Sequence, residues 1–333
     1  MTSLATRYLG LELAHPIVPG ASPLADDIDQ VLRLEDAGAG AIVMRSVFEE
    51  QIVLEQMAAH RLYDGHVDAE ASSVLPDTNV FALGVDAYLE QLHRIRQRTS
   101  LRVIGSLNGV TPGGWTGTAR RIEQAGAHAL ELNLYSLPGD ARLSASDMEQ
   151  QQLHTVREVV GAVSVPVAAK LSPFYSSLPN FVQALEDSGA KGVVLFNRLY
   201  QADIDPVRLE AVRSLHLSTP EELLLRIRWL AMVSPQARLD LAATGGVHAP
   251  LDVVKAIMAG AHAVQVVSAL LRHGAHYLRS LVDGLRHFVE EQEYPSLAAM
   301  RGNMNRARSP DPSAYERSEY AQILNSWHRP LRP

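Results

Sequence analysis

The chain has no cysteine among its 333 residues. It can therefore hold no disulfide, no cysteine-ligated zinc and no iron–sulfur cluster of its own, and it has no thiol chemistry. Lysine is almost as scarce, with Lys170, Lys191 and Lys255 the only three. No apolar run approaches the roughly 20 residues that span a bilayer. The opening MTSLATRYLGLELAHP lacks the charged-then-apolar layout of a secretory leader. Positive charge is in deficit, at a net −7 and a pI near 6.0, which argues against nucleic acid or an anionic membrane surface as a partner. The 13 histidines show no metal-ligand spacing, so no metal site is expected. What remains, at 47% hydrophobic and 20% charged residues, is an ordinary globular composition and the expectation of a cytoplasmic enzyme acting on a small molecule.

Four self-similar segments organise the chain: DAGAGAIVM at 36–44, QAGAHALELN at 124–133, DSGAKGVVLFN at 187–197 and MAGAHAVQVVS at 258–268. Each reads as a helix end, a glycine stop and a short apolar strand. Four further strands at 17–19, 101–107, 165–171 and 239–243 lie between them. Helical patterns fill the intervals at 26–36, 85–98, 116–124, 146–160, 179–186, 220–233, 250–258 and 277–290. Eight strands in strict alternation with helices predict an α/β fold, a (β/α)8 TIM barrel. The pattern also predicts an N-terminal β-hairpin over 6–13, long connections at 46–79 and 198–219, and a C-terminal helical tail. Within the first connection 49–61 looks helical and 64–79 irregular, and a last helix is expected around 315–327. One domain over 1–333 is expected, with its core at about 14–290 and a tail at 294–333 that packs on the barrel or on a partner subunit.

The stretch 239–270 carries the clearest chemistry. A short apolar strand breaks at Thr244-Gly245-Gly246, a helix opens on Pro250 with Asp252 in its first turn, and a second strand closes on Val267-Ser268. Turns after the last two strands of such a barrel commonly hold a phosphate, and the free N–H groups at the Pro250 helix start were expected to face the anion. Lys170 stands alone in the apolar run Val167–Leu171, where an unpaired ammonium is too costly to keep. A ligand contact is favoured there over a plain barrel-interior ion pair. Asn108, Asn133 and Asn197 all fall at strand ends, where amides suit a heterocycle with alternating donors and acceptors.

Taken in order, Pro19-Gly20-Ala21-Ser22, Glu131-Leu132-Asn133-Leu134, Ala169-Lys170-Leu171, Thr244-Gly245-Gly246 and Gln265–Leu270 resemble the dihydroorotate dehydrogenase family, flavin mononucleotide (FMN) enzymes on a (β/α)8 barrel. The likeness runs from about residue 4 to 302. It implies that Ala21 and Ser22 line the flavin ring, that Asn133 hydrogen-bonds it, and that Lys170 faces its N1–C2=O2 edge. It implies that Thr244, Gly245, Gly246, Val267 and Ser268 take the phosphate side, with Arg45, Ser46, Ser106, Asn108 and Asn197 completing the cofactor site. Ser136 falls where the family places the base that removes a substrate proton. The chain departs from the family pattern at Leu137-Pro138, at Arg198, at Arg45 in place of lysine, and across 72–83. The likeness therefore implies flavin binding and hydride transfer from a C–C bond beside a carbonyl in a small cyclic substrate, but not recognition of orotate. It leaves room for a homodimer and for a separate electron-transfer partner. Two other readings stay open: a flavin-free phosphate-binding barrel isomerase or lyase, and an electron-transferring FMN subunit of a complex.

Overall fold

Strand β3 (Ile17–Pro19) opens an eight-stranded parallel sheet that continues through β4 (Ala41–Phe48), β5 (Arg102–Asn108), β6 (Ala129–Leu134), β7 (Val167–Leu171), β8 (Gly192–Leu195), β11 (Asp240–Thr244) and β12 (Ala263–Val266). Each strand pairs with the next in that order and β12 returns to β3, so the sheet curls into a nearly closed barrel. The computed structural model describes residues 2–48, 51, 84–108, 115–134, 139–317 and 319–325. Around the barrel lie α1 (Ile28–Asp36), α2 (Val85–Arg98), α3 (Trp115–Gln124), α4 (Ala145–Ala162), α5 (Leu178–Asp187), α6 (Glu222–Val233), α7 (Pro250–Ala259), the short α8 (Ser268–His273) and α9 (Tyr277–Glu291). Asp27 and Ser144 cap α1 and α4 by accepting first-turn N–H groups. Among the described residues no helix is long and apolar enough to cross a membrane.

Successive strand residues point to opposite faces, and the core accordingly splits in two. Ile42, Val103, Leu130, Leu132, Ala169 and Val193 face outward into the large cluster under the helices. Val18, Val43, Ile104, Ala129, Ala168, Val194, Ala242 and Ala263 face inward and form a separate cluster inside the barrel. Stepping two residues further along the chain from each position replaces this apolar ring with Gly20, Arg45, Ser106, Glu131, Lys170, Phe196, Thr244 and Gln265. The barrel interior is therefore apolar at its base and largely polar at its carboxyl mouth.

The predicted hairpin forms from β1 (Thr6–Tyr8) and β2 (Leu11–Leu13) and seals the base. Tyr8, Leu9 and Leu13 pack directly against the inward apolar ring, and the Leu9 N–H donates to the Asp240 carboxylate at 2.7 Å.

The predicted elements differ from the observed ones in places. Strand β4 runs on to Phe48, so the first long connection starts three residues later than its predicted start at Ser46. The connection 198–219 is not plain loop: β9 (Ala202–Asp205) and β10 (Glu210–Arg213) pair antiparallel within it. The helix expected over 49–61 and the irregular stretch 64–79 lie essentially outside the described residues. The tail forms α10 (Leu297–Met300), a 3₁₀ turn at Pro312–Tyr315 and α11 (Glu319–Asn325). It packs on the barrel's helices, with the Met304 and Arg306 N–H groups donating to Met258 and Ala231 carbonyls.

Leu13→Ala should destabilise the protein by about 2–4 kcal/mol, because it opens a cavity in the hairpin plug. Urea unfolding measures this, and an unchanged midpoint would show that the hairpin does not close the barrel base.

Candidate active site

The polar ring at the mouth is built on a charged pair. Lys170 Nζ donates to Glu131 Oε1 at 3.0 Å, with both side chains buried. Gln265 Nε2 donates to the other carboxylate oxygen, while Gln265 Oε1 is buried without a partner. Among the described residues Glu131 is the sole hydrogen-bond partner of Lys170, which also lines a cavity of about 260 Å³ at the mouth. The two readings of Lys170 thus do not exclude each other: the interior ion pair exists, and the ammonium still meets open space. Beneath the pair, burial and then the Glu131 and Asp240 charges push the Tyr8 hydroxyl well above its usual range.

Across the mouth, three adjacent strands make a second polar group. A register shift in β4 between Val43 and Ser46 sets Ser46 opposite Ser106, with their hydroxyls 2.8 Å apart. Asn133 Nδ2 donates to Ser46 Oγ at 2.7 Å, to Ser106 Oγ at 3.1 Å and to the Leu107 carbonyl at 3.2 Å. A carbonyl can only accept, so this contact fixes the amide's orientation and leaves Oδ1 as an acceptor for other groups. Asn108 pairs in register with Asn133.

The third part is a glycine turn after β11 that meets the helix start after β12. Gly245 and Gly246 adopt φ of +90° and +80°, and the chain reverses there over the start of α6. A Cβ on Gly246 would lie 2.3 Å from the Leu223 backbone nitrogen, and one on Gly245 would lie 3.0 Å from the Arg226 guanidinium. The glycines are thus required by α6 beneath them as much as by any ligand above. Arg226 is buried, donating to the Thr244 carbonyl at 2.9 Å and to the Glu222 carbonyl at 2.8 Å. Burial lowers its pKa, the Glu222 charge opposes that, and the Arg198 charge adds to it. Helix α8 begins directly at Ser268, so its first N–H groups have no partner within the helix. The Ser268 hydroxyl accepts from the Ser218 N–H at 3.0 Å, which leaves its own proton free to donate. Ser218 Oγ in turn lies 3.1 Å from His248 Nε2, whose pKa is lowered by burial and then by Arg272.

One expectation is corrected here. At the start of α7 the Asp252 carboxylate already accepts from the His248 and Ala249 N–H groups at 2.9 Å, so these two donors are not open to a ligand. The helix that meets the cavity is α8, which sequence reading did not separate from the strand before it.

Over the cavity, Arg198 makes a two-point contact with Glu222 at 3.2 and 3.3 Å and also donates to the His216 carbonyl. Arg45 pairs with Asp26 at 3.2 Å, and burial raises the Asp26 pKa against the Arg45 charge.

The structure brings ten of the residues singled out from sequence to one cavity: Ala21, Ser22, Arg45, Lys170, Asn197, Thr244, Gly245, Gly246, Val267 and Ser268. Ser46, Ser106 and Asn133 form the triad across the mouth. Ser136, with Pro138 and 72–83, lies outside the described residues. Sequence reading missed Gln265, Arg226, Glu222 and Ser218 as site residues, and Glu131 as the partner of Lys170. Period-two spacing from the inward apolar ring is the signal that finds Glu131 and Gln265.

A family model described as Dihydroorotate dehydrogenase matches residues 3–289. The catalytic subunit of dihydroorotate dehydrogenase B (NAD(+)) from Thermoplasma acidophilum is 29% identical over 311 residues, covering 91% of this chain and 99% of that protein. The same subunit from Methanocaldococcus jannaschii is 25% identical over 305 residues, covering 87% and 94%. The chloroplastic dihydropyrimidine dehydrogenase (NADP(+)) of Arabidopsis thaliana is 22% identical over 326 residues, covering 90% and 76%.

Arg226→Met should cost about 2–4 kcal/mol, because it leaves the buried Thr244 and Glu222 carbonyls without their charged donor. Unfolding in urea reads this directly; stability unchanged from the parent would mean that Arg226 does not support the glycine turn.

Proposed function

The chain belongs to the dihydroorotate dehydrogenase family, an oxidoreductase family acting on CH–CH groups, and from that premise we propose that it holds FMN at the barrel mouth. The observation that carries the proposal is that Lys170 and the turn Thr244–Gly246 with Ser268 open into one cavity. The donor set suits this cofactor. FMN brings a phosphate dianion to the backbone N–H groups after β11 and β12, a ring edge that becomes anionic on reduction to Lys170, and an imide N–H to a buried acceptor such as the unpartnered Gln265 Oε1. Ala21, Ser22, Asn133 and Asn197 would border the ring.

When bound, FMN supplies the acceptor for hydride from a C–C bond beside a carbonyl. The protein's part is to hold positive charge at Lys170 where negative charge grows, and to fix the ring through the rigid Asn133–Ser46–Ser106 triad. Ser136, three residues past Asn133, takes the role of the base that accepts the substrate proton. A hydroxyl is a weak base, and water or a neighbouring group must relay that proton onward. The substrate is a small cyclic amide or imide. A flavin-free isomerase or lyase would use the phosphate turn but gives no role to a lysine held at the same cavity. A separate protein reoxidising the flavin, and a cytoplasmic location, belong to the same proposal, in keeping with relatives named as catalytic subunits.

Dihydroorotate itself is expected to be a poor substrate. The amides that grip orotate elsewhere in the family are replaced at Pro138 and Arg198 and are unrecognisable across 72–83. Arg198 is not free to compensate, since Glu222 and His216 occupy its guanidinium. Two or three missing hydrogen bonds at about 1–3 kcal/mol each correspond to roughly 10²–10⁵ in rate.

The purified protein should be yellow and release FMN on denaturation; a colourless chain that takes up no added FMN refutes the cofactor. Lys170→Met should keep the colour and slow substrate-driven flavin bleaching by about 100-fold, and an unchanged rate would confine Lys170 to structure. In anaerobic stopped-flow mixing, 5,6-dihydropyrimidines lacking the carboxylate should bleach the flavin faster than (S)-dihydroorotate. Rapid, saturable bleaching by (S)-dihydroorotate would show that the replaced amides do not matter.

A further inference from the structure

Glu131 has no assigned part in the chemistry, yet among the described residues it is the group that pairs with Lys170. Its Oε1 accepts from Lys170 Nζ at 3.0 Å, and its Oε2 is held by the Gln265 amide. The carboxylate is 1% exposed and lies within the barrel, while Lys170 borders the open mouth. An ammonium backed at 3.0 Å by a carboxylate meets the cavity as one end of a dipole rather than as a full charge, and low surrounding polarisability enlarges that difference. Fold stability does not require this arrangement. Taking both ions out of water costs several kcal/mol each, and two packed apolar side chains would serve a barrel interior as well or better.

Resting on the reading that this site takes FMN, we infer that Glu131 is a positioning residue that sets the electron affinity of the cofactor. It points the Lys170 ammonium at the mouth and attenuates its charge there, so that reduction is assisted but held in check. Gln265 belongs to the same device, because its amide shares the carboxylate's charge and fixes the side chain that carries it. Removing the negative charge while keeping the shape should make the bound flavin a better electron acceptor. A purely structural pair would predict only a weaker fold and weaker cofactor binding.

The test uses sulfite, which adds reversibly to oxidised flavin and binds more tightly when positive charge lies near the ring's N1–C2=O2 edge. FMN content is measured first, then the sulfite dissociation constant by loss of the flavin absorbance. Glu131→Gln should bind sulfite at least about tenfold more tightly, an increase equivalent to about 30 mV on the two-electron scale. Glu131→Asp, which keeps the charge but draws it back by one methylene, should tighten sulfite by about threefold, and it decides the matter if the glutamine variant does not fold. Lys170→Met should move the constant the other way. Sulfite affinity unchanged or weakened in folded, FMN-loaded Glu131 variants overturns the inference while leaving the cofactor reading intact. A parent chain that takes up no FMN overturns both.

Discussion

A lysine and a glutamate meeting inside a barrel is the constraint to which the rest of this architecture answers. Such a pair is tolerable only where its remaining hydrogen-bonding capacity is met and where water cannot reach it from behind. For the first condition, Gln265 reaches from β12, across the barrel, to take the other oxygen of the carboxylate, and the remaining Lys170 donors face the open cavity. The second is met by the ring of Val43, Ile104, Ala129, Ala168, Val194, Ala242 and Ala263 below it, and by the Tyr8–Leu13 plug below that. The dry base and the charged mouth are therefore two halves of one design: the base raises the strength of every interaction made at the mouth, and the mouth gives the charge somewhere to act.

The glycine turn after β11 obeys a different logic. Its turn is supported from beneath by a buried guanidinium that ties the Thr244 and Glu222 carbonyls together. Gly245 and Gly246 leave no room for side chains there, because α6 occupies the space a Cβ would need. The buried positive charge is thus held beneath the turn by two backbone carbonyls, and the shape of the turn is set by the helix below it.

Much of this was legible before any coordinates. Glycine stops at Gly38, Gly126, Gly189 and Gly260 followed by short apolar runs mark four barrel strands, and each of these glycines has positive φ. Lys170 and the Thr244–Gly246 turn stand out because each breaks the chemistry of its surroundings. The Glu131–Lys170 contact was not legible, because its partners are 39 residues apart and nothing but strand register brings them together. The β9–β10 hairpin escaped for another reason: its strands are four residues each and almost wholly exposed, and the alternation in Ala202–Asp205 is not matched in Glu210–Arg213. Arg226 and Glu222 look like ordinary helix-surface charges spaced one turn apart until α6 is seen lying under the glycine turn.

Glu222 joins these parts in a further way. Its carboxylate holds Arg198, at the root of the β9–β10 hairpin, and the Thr219 N–H, while its carbonyl holds Arg226, which holds Thr244. A segment that borders the cavity and the support beneath the glycine turn are thus fastened to the same residue. Losing the Glu222 carboxylate would therefore free Arg198 while the Glu222 carbonyl went on holding Arg226, so the two attachments separate only as side chain and backbone of one residue.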